Sequence, residues 1–218
     1  MPHLHQPEAE TARSLAEQAY YRLRELIVNL EFAPGSMLSE RDLQERTGLG
    51  RTPIREALRT LESDRLVELF PRRGVIVANV NAGDLAGLSE VRLLLEPPAA
   101  RLAAERADAT DRAAIDELLA ELASSNGDQR TLIELDQRIH RRVYHAAHNP
   151  RLERSLNEYY LHALRIWFLA LDRASELGDA VRKHEELLLA IRDGDGAGAE
   201  AAMRDHISDF ERTMRAIL

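Results

Sequence analysis

The sequence predicts a mainly α protein in two parts: three helices closed by two short strands, then an antiparallel bundle built only of helices. Three observations predict it. Apolar residues recur at three- and four-residue steps along most of the chain. That period gives way to short β-like runs once, between Val67 and Val77. Charge divides unevenly across the same point: residues 1–78 hold 11 Arg against 12 acids, so 79–218 carry −7 of the net −8.

The first helix opens at Ser14, with Glu17 as its capping-box partner. Leu15, Ala19, Leu23, Leu26, Ile27 and Leu30 form its apolar stripe, and Ala33-Pro34-Gly35 ends it. A short second helix starts at Ser39 and stops at Thr47-Gly48. A third starts at Pro53 with Thr52 as cap; Ile54, Ala57, Leu58 and Leu61 face inward, leaving Arg51, Arg55 and Arg59 outside. Val67 and Leu69, the turn Pro71-Arg72-Arg73-Gly74, and Val75-Ile76-Val77 read as two strands around a basic turn. Together these elements make a winged helix-turn-helix over residues 1–79. Asn79–Gly83 reads as a linker, placed at 80–84 between the two domains. Residues 85–218 form a bundle of about six helices by the spacing of their breaks, with no strand signal.

Composition excludes several classes. There is no cysteine, which removes disulfides, thiolate metal sites and cysteine nucleophiles and leaves His, Asp and Glu as metal ligands. Met1–Glu10 lacks the basic start and apolar run of a signal peptide, and no apolar run approaches the roughly 18 residues of a membrane span. A cytoplasmic protein without a membrane partner is therefore expected.

The net charge of −8 opposes nucleic-acid binding if it is spread evenly. It is not: Arg41–Arg73 holds eight Arg against six acids. Arg51 and Arg55 lie one turn apart on the same side of the third helix, a spacing that suits the major groove. There, good bidentate side-chain–base pairs, such as Arg to guanine, contribute about 1–3 kcal/mol of discrimination each.

The segments Leu38-Ser39-Glu40-Arg41-Asp42-Leu43, Gly50-Arg51-Thr52-Pro53-Ile54-Arg55-Glu56-Ala57-Leu58 and Pro71-Arg72-Arg73-Gly74-Val75 resemble the DNA-binding domain of the GntR family. The resemblance implies that Arg41, Arg51, Thr52 and Arg55 contact bases or phosphates of operator DNA in the major groove, and that Arg73 and Gly74 approach the minor groove. Two positions depart from the pattern. Gly50 replaces a hydroxyl residue that would add a phosphate contact, and Arg65 stands where a helix-ending glycine is usual, so that either its backbone takes a strained left-handed conformation or the helix ends differently there.

In the second part, Ile133, Asp136, His140, Val143 and Ala147 share one stripe of a helix opening at Thr131 with Glu134 as capping-box partner. His184 shares a face with Val181, Leu187, Leu188 and Ile191, and His206 with Met203, Ile207 and Phe210. A buried carboxylate needs compensation. One Asp and three His from three helices make a nitrogen and oxygen set suited to Zn, Ni, Mn or Fe. His145, His148 and His162 read as structural or exposed.

Residues 85–210 resemble the all-helical FCD effector domain of the FadR-like branch of that family, on Glu90, Arg92, Glu96, Asp136, His140, Asn149-Pro150, His184 and His206. The resemblance implies a divalent metal on Asp136, His140, His184 and His206, a small carboxylate effector in its open positions, and Arg92 as a partner for that acid. It also implies a homodimer on a palindromic operator, acting most often as a repressor. Departures are Ile139, where an aromatic residue is common, and Pro97-Pro98, which predict a kink or break in the first effector helix. A lipid-like or acyl-coenzyme A effector is the main alternative. A metallohydrolase is remote, because no metalloprotease motif, phosphate-cradling glycine loop or nucleophile elbow accompanies the histidines.

Overall fold

The computed structural model describes residues 12, 14–71, 74–125, 129–170 and 177–217, and the chain divides into two compact units, Met1–Val80 and Asn81–Leu218.

In the first unit, α1 (Leu15–Val28) is capped by the Ser14 hydroxyl, which accepts from the Glu17 N–H at 3.1 Å. The helix ends at Val28, earlier than Ala33-Pro34-Gly35, because Leu30 turns to a φ of 59° and leaves the helical path. Next come β1 (Met37–Leu38) and α2 (Glu40–Thr47). Ser39 caps α2, accepting from the Asp42 N–H, and Gly48 closes it at φ 70°, a left-handed conformation that a side chain resists. α3 spans Arg51–Ser63 with Gly50 as its N-cap, two residues before the start expected at Pro53. Proline is tolerated throughout a helix's first turn, where an N–H has no intrahelical acceptor, so Pro53 does not single out the first position.

Strands β2 (Val67–Phe70) and β3 (Gly74–Val77) pair antiparallel as expected. The sheet has a third member: β1 lies on the other edge of β3, with Met37 opposite Ile76 and Leu38 opposite Val75. A two-residue strand has too little alternation to be read locally. Leu23, Ile27, Leu43, Ile54, Leu61, Leu66 and Val77 are fully or almost fully buried in one core, which fixes α3 with its arginines outward.

Arg65 adopts φ 57°, the left-handed one of the two expected outcomes. A Cβ carries a penalty there of order 1 kcal/mol. Arg65→Gly is expected to raise unfolding stability by roughly 0.5–1 kcal/mol, measured by urea denaturation, the glycine's extra unfolded-state entropy offsetting part of the gain. No gain or a loss would show that the Arg65 side chain contributes more than its backbone strain.

The second unit consists of α4 (Ala82–Arg106), α5 (Ala109–Ser124), α6 (Gln129–Ala146), α7 (Pro150–Ala170), α8 (Leu177–Arg182), α9 (His184–Asp193) and α10 (Gly196–Ile217). The linker placed at 80–84 is helical from Ala82, because Asn81 caps α4 in a reciprocal box with Asp84. α4 also continues through Pro97 and Pro98, where a kink or a break was expected, so the prolines do not break it. Neither proline can donate to the preceding turn, but Ala99, Ala100, Ala103 and Ala104 beyond them are buried, and α4 packs most extensively against α10. The burial of α4 in the bundle outweighs the missing hydrogen bonds. α6 begins at Gln129, before the expected Thr131 start.

Candidate functional site

The first unit presents an exposed basic face. Arg51 occupies the first position of α3, Thr52 the second, and Arg55 follows one turn after Arg51; all three are exposed. Glu40, at the start of α2, accepts from the Arg55 Nε at 2.6 Å, and this bond lowers the carboxyl's pKa. Arg41 is exposed and pairs with Glu45 at 2.8 Å. These contacts sit in water, where ion pairs are easily exchanged for a phosphate or a base. Gly74 opens β3 at φ 105°, which a side chain would oppose, and pairs with Phe70 at the base of the wing. Arg73 lies outside the described residues.

In the second unit, the helical periods that place Asp136 and His140 on α6, His184 at the start of α9 and His206 on α10 bring all four into one buried cluster. The His140 and His206 Nε2 atoms are 3.1 Å apart, and those of His184 and His140 are 3.3 Å apart. Asp136 Oδ1 is 3.6 Å from His184 Nε2, and Oδ2 is 3.9 Å from His140 Nε2.

Hydrogen bonds fix the remaining atoms. The His184 Nδ1–H donates to the Val181 carbonyl at 3.0 Å, leaving Nε2 with its lone pair toward the cluster. The Tyr160 hydroxyl donates to Asp136 Oδ2 at 2.5 Å. Asp136 Oδ1 is buried with no hydrogen-bond partner. Burial lowers the pKa of His184 to about 4 against the opposing pull of Asp136. Burial, with His184 and His140 beside it, holds His206 well below the usual imidazole range. Neutral imidazoles with converging lone pairs are good metal ligands and poor neighbours without a cation.

These four residues fit a divalent metal ion. Their donor atoms all lie within 4.8 Å of one another. A tetrahedral shell with metal–nitrogen bonds of about 2.0–2.1 Å has edges of roughly 3.3 Å, matching the two nitrogen separations. The unpaired Asp136 oxygen is the buried polar atom such an ion would satisfy.

Arg92 on α4 is almost fully buried. Its guanidinium lies 5.2 Å from the Phe210 ring centre and 5.9 Å from that of Tyr160, and its Nε donates to Glu96 Oε1. The other Glu96 oxygen is 3.1 Å from His140 Nδ1, which also lies 3.1 Å from the Tyr144 hydroxyl. Sequence reasoning attaches no role to Tyr144, Tyr160 or Glu96. Tyr144 follows His140 by one turn and is available from the helical period, whereas Tyr160 comes from another helix with no local signal.

A second acidic group, Asp108, Asp111 and His148, is largely committed elsewhere: Asp108 and Asp111 form the capping box of α5, and His148 Nε2 bonds Asp111 Oδ2 at 2.7 Å. Among the described residues, no helix is long and apolar enough to cross a membrane.

Comparison with known proteins joins the two units. Residues 15–77 match the gntR family of bacterial regulatory proteins, and residues 87–209 match the FCD domain. The chain is 33% identical to the galactonate operon transcriptional repressor of Escherichia coli K12 over 221 residues, spanning 88% of this chain and 93% of that one. It is 26% identical to the transcriptional repressor RspR of the same strain, over 92% of this chain and 89% of the relative. The solved structure of E. coli McbR/YncC superposes with a TM-score of 0.80 at 25% identity, covering 91% of this chain and 95% of that chain. The chain therefore belongs to the GntR family of DNA-binding transcription regulators, pairing a winged helix-turn-helix with an FCD domain, and is not an enzyme.

Proposed function

We propose that this regulator is a homodimeric repressor whose operator affinity is set by a small carboxylate metabolite bound beside a divalent metal ion in the FCD domain. The observation that carries the reading is the convergence of Asp136, His140, His184 and His206 with Arg92 one residue contact away, through Glu96. Asp136 and the three imidazoles hold the ion, which supplies a Lewis-acidic site for a carboxylate oxygen. Arg92 supplies the second anion-binding group, and Phe210 and Tyr160 hold its guanidinium in place. Two copies of α3, one per protomer, enter neighbouring major-groove half-sites. Arg41, Arg51, Thr52 and Arg55 make the contacts there, and Arg73 and Gly74 approach the minor groove. The similarity to a galactonate operon repressor makes sugar acids the first class of effector to try.

Linkage requires the effector to bind the DNA-bound and free forms with different affinity. Metal-loaded, untagged protein is titrated onto an operator duplex selected from a random pool, with and without D-galactonate and other small hydroxy acids. The bound acid is expected to change operator affinity by about 5- to 150-fold, the usual span of coupling between sites. Operator affinity that stays the same with every acid that binds would overturn the switch.

A further inference from the structure

Glu96 is a buried carboxylate placed between two functional groups. Its Oε1 is held by the Arg92 Nε, and its Oε2 lies 3.1 Å from His140 Nδ1. His140 Nδ1 lies at the same 3.1 Å from the Tyr144 hydroxyl, and with Nε2 turned to the metal set it is the nitrogen that carries the ring's N–H. That N–H therefore has two acceptors within reach, one neutral and one charged, and a small rotation of the imidazole transfers it between them.

Glu96 is ion-paired with the Arg92 guanidinium, both side chains being almost wholly buried, and the pair keeps a charged carboxylate beside His140. A carboxylate on the far nitrogen of a metal-binding imidazole fixes the ring and raises the basicity of the coordinating nitrogen. Here the strength of that effect depends on how much of the Glu96 charge Arg92 has already neutralised.

We propose that Glu96 is a positioning residue that couples Arg92 to the metal centre through His140, so that an anion on Arg92 releases Glu96 toward His140 and tightens metal binding. The inference rests on the reading of Asp136, His140, His184 and His206 as metal ligands. Coupling of this kind is reciprocal: a bound metal, by strengthening the His140 N–H as a donor to Glu96, frees Arg92 for an incoming acid. The two halves of the effector site then fill together.

The test uses the full chain, untagged, and Zn alone as probe, with affinity read by competition against a chromophoric chelator. Glu96→Gln keeps the shape and removes the charge, and is expected to weaken Zn binding by roughly 10- to 100-fold. Arg92→Gln removes the competing cation and is expected to change affinity in the opposite direction, tightening Zn on the order of 10-fold by the same effect. A purely structural role would weaken both.

Should Arg92→Gln fail to fold with its acid left unpaired, the double variant R92Q/E96Q removes both charges, and its Zn affinity is expected to match that of E96Q. Far-UV circular dichroism and the metal-free melting temperature report folding separately. Wild-type Zn affinity in E96Q, with Zn lost in His184→Ala, would overturn the coupling and leave the four-residue site standing. Equal weakening in E96Q and R92Q would also overturn it. A wild-type chain that takes up no Zn, Ni or Mn would overturn the site and the coupling together.

Discussion

Arg55→Ala and Arg51→Ala are each expected to abolish sequence-specific operator binding while leaving the fold intact. Both side chains are exposed on α3, whose inner residues Ile54, Ala57, Leu58 and Leu61 are buried, so truncation removes no core contact and the melting temperature should not move. The expected loss follows from groove chemistry. One good bidentate pair contributes about 1–3 kcal/mol of base discrimination, roughly 5- to 150-fold, and a symmetric dimer loses two per substitution. Specific affinity then falls toward the sequence-independent level set by phosphate contacts. Fluorescence anisotropy at one fixed salt concentration, with operator and scrambled duplexes, measures it. The specificity ratio should collapse in each variant, and unchanged operator affinity in both would refute α3 as the reading helix.

His184→Ala is expected to remove metal binding and the stabilisation that comes with it. A ligand that binds only the folded state stabilises by about 2.7 kcal/mol at 100 times its dissociation constant. For a chain of this size that corresponds to a rise in melting temperature of roughly 5–11 °C. His184 is fully buried, so its loss also leaves a cavity and lowers the metal-free melting point. The informative quantity is the increment between chelator and Zn, large in the wild type and absent in the variant. An equal increment in both would place the metal elsewhere.

How much of the molecule is legible in its sequence depends on whether a feature is local. Ser39 and Gly48 bound α2 as expected, because a hydroxyl cap and a left-handed glycine are short-range signals. The left-handed Arg65 is a different case: an arginine carries no local signal for that conformation, and only the family's usual glycine at its position suggested it. The inward stripe of α6 assigns Asp136 and His140 to the core from the amino-acid spacing alone, since the period of a helix dictates which residues share a face, and both are buried. The end of α1 is misleading because Leu30 continues the apolar period while its backbone has already left the helix. The continuation of α4 through Pro97 and Pro98 is hidden too, because packing against α10 decides it and proline chemistry alone points the other way. Arg92 and Glu96 stand one turn apart on α4, a spacing that allows their pairing to be read locally, but their meeting with His140 of α6 occurs only in three dimensions and no spacing along the chain announces it.

The measurement that decides most is native mass spectrometry of the untagged chain, read beside the same measurement on His184→Ala. A dimer mass with one divalent metal per chain, lost in a chelator and in the variant, is the predicted result, and any further organic mass would begin to identify the effector. A chain that stays metal-free after incubation with Zn, Ni and Mn would contradict the metal-centred effector site and leave the DNA-binding assignment in place.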